Sequence, residues 1–358
     1  MQRTLVAAAA AGLLAFTGAS HALTFNFTFV AGTNAQAQQA FIDAGARWAN
    51  LFSDPITLNM TVGQQALGSG ILASTGSARS LYSYSAFSTA LGLDGTSADD
   101  AQALSSLTAG SSFGMLINRT SDNPNGAGSA TAYIDNNGSA NNASIRITSA
   151  NAKAIGLASA GSVVGVCTIA CDASIVFANA FTWDYNPNDG ITSGAFDFVG
   201  IAAHEIGHAL GFISGVDILD INSTGSFFAS DAFTYVSSLD LFRYSAASTA
   251  AGVIDWTANT TPKYFSLNKG VTALPQFSTG RTWGDGQQAS HWKDNLAIGI
   301  MDPTAAPGEL LATTPYDVQA LDVIGWSLAT AVPEPSTYAL FGLGLLGITL
   351  RRRQVQRG

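Results

Sequence analysis

Histidine, cysteine and charged side chains are all scarce in this chain of 358 residues. It has four histidines and two cysteines, and charged residues make up 11% of it. Hydrophobic residues reach 47% and aromatic residues 10%, which argues against an intrinsically disordered chain. The low charge and the abundance of small polar residues indicate a folded protein rich in strands and loops.

Basic residues are especially few in the central part of the chain. Five of the 15 basic residues and one of the 24 acidic residues lie in two terminal segments, 1–22 and 331–358. The part between them therefore has ten basic and 23 acidic residues, a formal charge of −13. No basic stripe is present that could follow a phosphate backbone, so we expect no nucleic-acid partner.

The first 22 residues have the pattern of a secretory signal peptide. Arg3 supplies a positive start, "LVAAAAAGLLAF" an apolar run, and "ASHA" a small-residue exit that ends at Ala22. We therefore predict a signal peptide over 1–22, cleaved after Ala22. Export would place the rest of the chain where disulfides persist.

The last residues combine a Pro-Glu-Pro motif, an apolar stretch and a basic end. "VPEPS" begins at Val332, the apolar stretch runs over Tyr338–Leu350, and three arginines follow it. This order resembles the PEP-CTERM sorting signal of Gram-negative bacteria. The resemblance implies that 331–358 anchors the protein transiently through a short transmembrane segment. An exosortase-type enzyme would then process it for the cell surface or extracellular matrix.

Between these ends we find no low-complexity linker and no repeat, so we expect one domain over 23–330. Apolar spacing predicts three helices, and alternating or β-branched runs predict three strands. The predicted helices are 35–52, 99–107 and 197–210, and the predicted strands are 56–63, 143–150 and 173–181. This pattern predicts an α+β fold whose second half is mostly loops.

Cys167 and Cys171 are the only cysteines. In an exported chain we predict that they form a small disulfide, which staples the loop before a strand at 174–178. A metal role would need further ligands, which the neighbouring sequence does not offer. A redox C-x-x-C motif would have one residue fewer between the cysteines.

The stretch "HEIGHALGF" (204–212) contains the motif that indicates metal chemistry. On a helix, His204 and His208 are about 40° apart in azimuth, so both imidazoles can reach one ion. Glu205 lies beside them, where a carboxylate can take a proton from a water that zinc has activated. Without His21 of the predicted signal peptide, His291 is the only other histidine, and three histidines suit a catalytic zinc site.

The string after His208 departs from the usual metzincin motif H-E-x-x-H-x-x-G-x-x-H. Gly211 is in place, but Ser214 occupies the position of the last histidine, and Asp217 comes three residues later. The glycine, however, is followed much later by "SHWKDNLAIGIMDP" (290–303). This arrangement resembles the leishmanolysin-type metzincin peptidases, in which a long insertion precedes the third histidine.

The resemblance implies a role for each matching residue. His204, His208 and His291 would bind one catalytic Zn²⁺, Glu205 would act as general base, and Met301 would be the Met-turn methionine. Gly211 would let the chain leave the helix beneath the metal, and Asp217 remains an alternative third ligand. Pro303 occupies a position at which some metzincins have tyrosine.

The implied fold has an N-terminal lobe with a mixed twisted sheet and the active-site helix. Its C-terminal lobe is mostly loops and ends in a helix near 313–326. The implied function is a secreted zinc-dependent endopeptidase that acts on peptide or protein substrates. We expect the substrate to pair with an edge strand of the sheet, for which 173–181 is the candidate.

Two other functions stay open from the sequence. A catalytically silent surface or matrix binding module could retain the zinc site, and a zinc amidase could act on cell-wall material. Two further sites also have alternatives. The "DYNPNDG" loop (Asp184 to Gly190) could bind calcium or be a solvated turn, and Asp302 and Asp322 could orient the histidines or lie at the surface.

Overall fold

The computed structural model of the protein describes residues 23–222 and 227–329. The predicted signal peptide (1–22) and sorting tail (331–358) lie outside these described residues. The described residues combine α-helices with mixed β-sheets, which confirms the predicted α+β class. Up to Leu328 they form one compact unit.

The described residues contain eight α-helices and a set of mostly short strands. The helices are α1 (Ala35–Ala49), α2 (Tyr84–Asp94), α3 (Ala98–Ser106), α4 (Ser149–Ala154), α5 (Phe198–Leu210), α6 (Val216–Asn222), α7 (Ala246–Ala251) and α8 (Pro315–Asp322). The strands of the first half are β1 (Thr24–Phe29), β2 (Thr57–Gln65), β3 (Ala73–Ser77), β4 (Arg79–Ser83), β5 (Met115–Ile117), β6 (Tyr133–Asp135), β7 (Ser144–Thr148), β8 (Ala173–Ala178), β9 (Trp183–Asp184) and β10 (Phe196–Asp197). Those of the second half are β11 (Arg243–Tyr244), β12 (Ile254–Asp255), β13 (Lys263–Phe265) and β14 (Gln276–Phe277).

The largest sheet has four strands in the order β1-β2-β8-β3. β1, β2 and β8 run parallel, and β3 is the antiparallel strand at one edge. The prediction that 173–181 is the edge strand is therefore wrong, because β8 lies between β2 and β3. All six residues of β8 are buried, and a continuous apolar run of this kind is typical of a central strand.

Two helices cover one face of this sheet. α1 begins where the Asn34 side chain accepts a hydrogen bond from the backbone N–H of Ala37. The indole N–H of Trp48 in α1 donates to the carbonyl of Ala203 in α5 at 2.8 Å. The Phe177 ring of β8 stacks on that of Phe198 in α5, with ring centroids 4.1 Å apart. α5 is thus fixed against both the sheet and α1.

The predicted elements are found with small shifts at their ends. The predicted helices 35–52, 99–107 and 197–210 correspond to α1, α3 and α5, and the helix near 313–326 corresponds to α8. The predicted strand 143–150 ends at Thr148, because the Thr148 side chain caps α4 by accepting the N–H of Asn151 at 3.1 Å.

The half that follows α5 consists of loops with short helices and strands, and it ends in α8. Its chain is organised around Asp240, whose carboxylate accepts from the Ser214 hydroxyl at 2.6 Å and from the Trp256 indole at 3.1 Å. In the first half, Cys167 and Cys171 are joined by a disulfide.

No helix among the described residues combines the length and apolar character needed to cross a membrane. The predicted transmembrane stretch, Tyr338–Leu350, lies outside that part of the chain.

Candidate metal centre

The helix that carries the motif has defined ends. α5 begins at Asp197, whose carboxylate accepts the N–H of Gly200 at 2.8 Å. It ends at Gly211, which has φ +125°, a conformation that side chains with a Cβ rarely adopt. An added Cβ there would lie 2.9 Å from Cδ1 of Ile324. The turn brings the Phe212 carbonyl to His208, where it lies 2.7 Å from Nδ1.

Three histidine side chains converge at the base of a cleft. The Nε2 atom of His208 lies 3.0 Å from Nε2 of His204 and 3.2 Å from Nε2 of His291. The ligand atoms of these three residues all lie within 4.8 Å of one another. The fold thus brings together His208 and His291, which are 83 residues apart in the sequence.

Backbone carbonyls fix the orientation of each imidazole. Nδ1 of His204 lies 2.7 Å from the carbonyl of Ile300, and Nδ1 of His291 lies 3.2 Å from that of Gln288. With the Phe212 carbonyl on His208, every Nδ1 has an acceptor and donates its proton. Each Nε2 is then left with a lone pair directed at the other two.

This donor set fits a divalent metal ion. Burial, followed by the charge of His204, lowers the pKa of His291 to about 3, and the same two causes lower the pKa of His208 well below its usual range. Imidazole nitrogens whose lone pairs face one another repel unless a cation lies between them. Zn–N bonds of about 2.0–2.1 Å in a tetrahedron separate the nitrogens by about 3.3 Å, close to the observed spacing.

Glu205 lies beside the histidines, and its carboxylate accepts a hydrogen bond from a residue of the sheet. Its Oε2 lies 2.6 Å from the hydroxyl of Thr75, which is on the edge strand β3. Burial raises the pKa of Glu205, while the charge of His204 and the Thr75 hydrogen bond oppose that change. Thr75 was not predicted from the sequence, since a single threonine in "ASTGS" has no distinguishing pattern.

Asp217 supports the chain that leads to His291. Its carboxylate accepts from the N–H of Ala289 at 2.6 Å, and from both the N–H and the hydroxyl of Ser290. These donors engage both carboxylate oxygens, and the group of converging ligand atoms does not include Asp217. Asp217, the alternative third ligand, therefore supports the segment directly before His291.

Met301 packs against α5, the helix that carries His204 and His208. It is fully buried, and a Cβ added at Gly207 of α5 would lie 2.4 Å from its sulfur. Its N–H donates to the carboxylate of Asp317 at 3.2 Å, and its carbonyl accepts the N–H of Trp292 at 3.0 Å. Trp292 and Trp326 are likewise fully buried core residues.

The remaining acidic candidates have partners elsewhere. Asp322 is buried and accepts the Ser97 hydroxyl at 2.7 Å, so it neither orients a histidine nor lies at the surface. Asp302 accepts the N–H of Thr304 at 3.1 Å. Backbone carbonyls, and not these two carboxylates, orient the three histidines.

The Asp184–Gly190 loop has the hydrogen bonds of a solvated turn. The Asp184 carboxylate accepts the N–H of Asn186 at 2.9 Å, and both the N–H at 2.8 Å and the hydroxyl at 2.5 Å of Thr192. Donors from the protein thus surround this carboxylate, which gives no support to calcium there. Within the described ranges, the three histidines form the only group that meets the geometric criterion for a metal.

The three-histidine group opens into a cleft of about 630 Å³. β3 forms one wall through Ala73, Ser74 and Thr75, and the loop before His291 forms the other. The three histidines and Glu205 line this cleft.

Comparison with known proteins identifies the C-terminal end of the chain. Residues 331–353 match the model of the PEP-CTERM protein-sorting motif. This motif indicates an exported protein that is sorted to the cell surface and processed by an exosortase. Neither the curated proteins nor the solved structures contain a match to this chain.

Proposed function

We propose that the protein is a secreted zinc endopeptidase of metzincin type, similar to the leishmanolysin group. Its catalytic domain would span 23–330, between a signal peptide (1–22) and the sorting tail (331–358). Processing of the tail would release it to the surface or matrix of a Gram-negative bacterium. The observation that carries this proposal is the convergence of three Nε2 atoms beside Glu205, at the base of an open cleft.

His204, His208 and His291 would hold the metal through Nε2. Zinc bound there would supply a Lewis acid for the scissile carbonyl and lower the pKa of a water molecule to about 7. With zinc bound there, Glu205 would be placed to accept a proton from the attacking water and to pass it to the leaving amine. The hydroxyl of Thr75 donates to Oε2 of Glu205 and thereby orients the carboxylate.

The edge strand β3 offers a place for an extended peptide. One side of β3 pairs with β8, and no strand of the described residues pairs with its other side. A substrate can add to this edge by backbone hydrogen bonds, which align a peptide bond without regard to its side chains. Ser74 and Thr75 line the cleft, so this pairing would bring the peptide to Glu205.

Glu205→Gln tests the proposed base. We expect full-length protein to cleave peptides in a complex library, and Glu205→Gln to retain zinc while losing nearly all turnover. Glu309→Gln is the matched control, because Glu309 is an exposed glutamate outside the cleft. If Glu205→Gln turns over peptides at the wild-type rate, Glu205 is not the general base. If the wild type cleaves no peptide in the library, the proposed endopeptidase activity is rejected.

A second pair of variants tests the ligand set. His291→Ala should lose zinc at neutral pH, whereas Asp217→Asn should retain more of it, because Asp217 acts through Ala289 and Ser290. Atomic spectroscopy of the purified proteins measures the zinc content. Full zinc occupancy in His291→Ala would reject His291 as a ligand.

A further inference from the structure

Arg79 lines the same cleft and has no role in the proposed reaction. It is the first residue of β4 and follows the edge strand β3 by one residue. Pairing with Thr148 of β7 fixes its backbone. Its side chain is exposed within the cleft, which His208 and Asp217 also line. A cation therefore lies beside the metal centre.

The guanidinium of Arg79 makes no hydrogen bond or ion pair within the described residues. The nearby carboxylates are already engaged: Asp217 by Ala289 and Ser290, and Glu205 by Thr75. Arg281 lines the same cleft and likewise has no bonded partner in the described part of the chain.

Most basic side chains among the described residues have a partner. Seven of the ten basic residues in the described ranges have a polar, ionic or aromatic partner. The three others are Arg79, Arg281 and Lys269, and only Lys269 lies outside the cleft. Two of the three basic side chains without a partner in the described part of the chain therefore line the cleft.

We propose that Arg79 binds a carboxylate of the peptide beside the scissile bond, so that the protein selects acidic substrates. Arg281, which also lines the cleft, attracts the same negative charge. A guanidinium with free donors forms paired hydrogen bonds with a carboxylate, which discriminate Glu from the isosteric Gln. The carboxylate belongs either to an acidic side chain or to the C-terminus of the peptide. This inference rests on the proposed peptidase function.

Selective binding tests the inference without turnover. Full-length Glu205→Gln, with its zinc content measured, is immobilised and exposed to acetylated, amidated decapeptides in which one position is Glu or Gln. Mass spectrometry of the retained peptides gives the Glu-to-Gln ratio. We expect a ratio of about ten at one position. Adding Arg79→Gln should bring it close to one, and Arg79→Lys should keep part of it.

Lys269→Gln is the charge control, since it removes one positive charge outside the cleft and should leave the ratio unchanged. A parallel library with free C-termini distinguishes the two carboxylate sources. Preference for free over amidated ends, without a Glu preference, would assign Arg79 to the terminal carboxylate.

The outcomes separate this inference from the proposed function. Equal retention of every Glu and Gln peptide, with no preference for free ends, overturns the inference, as does a ratio that Arg79→Gln leaves intact. If the wild type cleaves peptides without any carboxylate preference, the peptidase stands and the inference fails. If binding is selective but the wild type cleaves nothing, carboxylate recognition stands and the peptidase fails.

Discussion

Asp317 and Trp292 are joined by a buried hydrogen bond, in which the indole N–H donates to Oδ1 of Asp317 at 2.8 Å. The other oxygen, Oδ2, accepts the N–H of Ile300 at 2.9 Å and that of Thr314 at 2.7 Å. One carboxylate at the start of α8 therefore fixes the residue after His291 and the residue before Met301. Although Asp317 touches no ligand, it connects two parts of the metal centre.

We predict that Asp317→Asn lowers the free energy of unfolding by about 2–4 kcal/mol, because its amide group would face buried N–H donors. Zinc should also be lost to a chelator at lower concentration than from the wild type. Urea unfolding and a chelator titration measure the two effects. Asp231→Asn, at an exposed position, is the control. If Asp317→Asn equals the control in stability and zinc retention, Asp317 does not hold the segments around Trp292 and Ile300 in place.

Thr75 is predicted to act as a positioning residue for Glu205. Thr75→Val keeps the shape of the side chain but removes the donor to Oε2, so kcat should fall about tenfold or more. KM should change little, since the backbone of β3 is retained, and Thr75→Ser should restore most of kcat. Steady-state kinetics on one peptide gives both constants. A rise in KM alone would assign Thr75 to substrate binding instead.

The three-histidine group was largely predictable from the sequence, because the spacing and the small number of histidines both point to it. His204 and His208 lie four residues apart on one helix face, and His291 is the only other histidine after residue 22. The start of α5 was also predictable, since Asp197 is an N-cap residue that precedes an apolar run.

The residues around this centre were not predictable, because their roles depend on tertiary contacts. β3 has the sequence "ASTGS", without hydrophobic alternation, and it is a strand because it pairs with β8. Thr75 and the neighbouring Arg79 were missed with it. Asp317 has the sequence features of a helix-capping residue, which do not show that its oxygens also bind Trp292 and Ile300.

Gly207 and Gly92 give a matched pair of helical glycines. A Cβ at Gly207 would lie 2.4 Å from the sulfur of Met301, whereas one at Gly92 in α2 would make an ordinary contact of 3.9 Å with Leu104. We predict that Gly207→Ala lowers the free energy of unfolding by about 1–3 kcal/mol and weakens zinc binding. Gly92→Ala should raise the free energy of unfolding by about 0.5–1 kcal/mol. Equal effects would show that Met301 does not constrain α5.

Buried carboxyl groups outside the histidine-lined cleft should make stability depend on pH. Burial raises the pKa of Asp54 to about 7, opposed by the Ser327 N–H, and the charges of Asp94 and Asp322 add to the rise. Burial likewise raises the pKa of Asp322 to about 7, opposed by the Ser97 hydroxyl. The charges of Asp100, Asp99 and Asp94 add to that second rise.

Both pKa values lie above the unfolded value of about 3.9, so the folded protein holds protons that the unfolded chain releases. This stabilisation is complete below about pH 4 and is lost as the pH rises to about 7. Asp54→Asn keeps an acceptor for the Ser327 N–H but cannot become charged. At each pH, the variant's unfolding free energy can be compared with that of the wild type. This difference should favour Asp54→Asn by about 1–3 kcal/mol more at pH 8 than at pH 5. Urea unfolding at both pH values measures this, with the exposed Asp43→Asn as control, and parallel pH profiles for Asp54→Asn and wild type would contradict it.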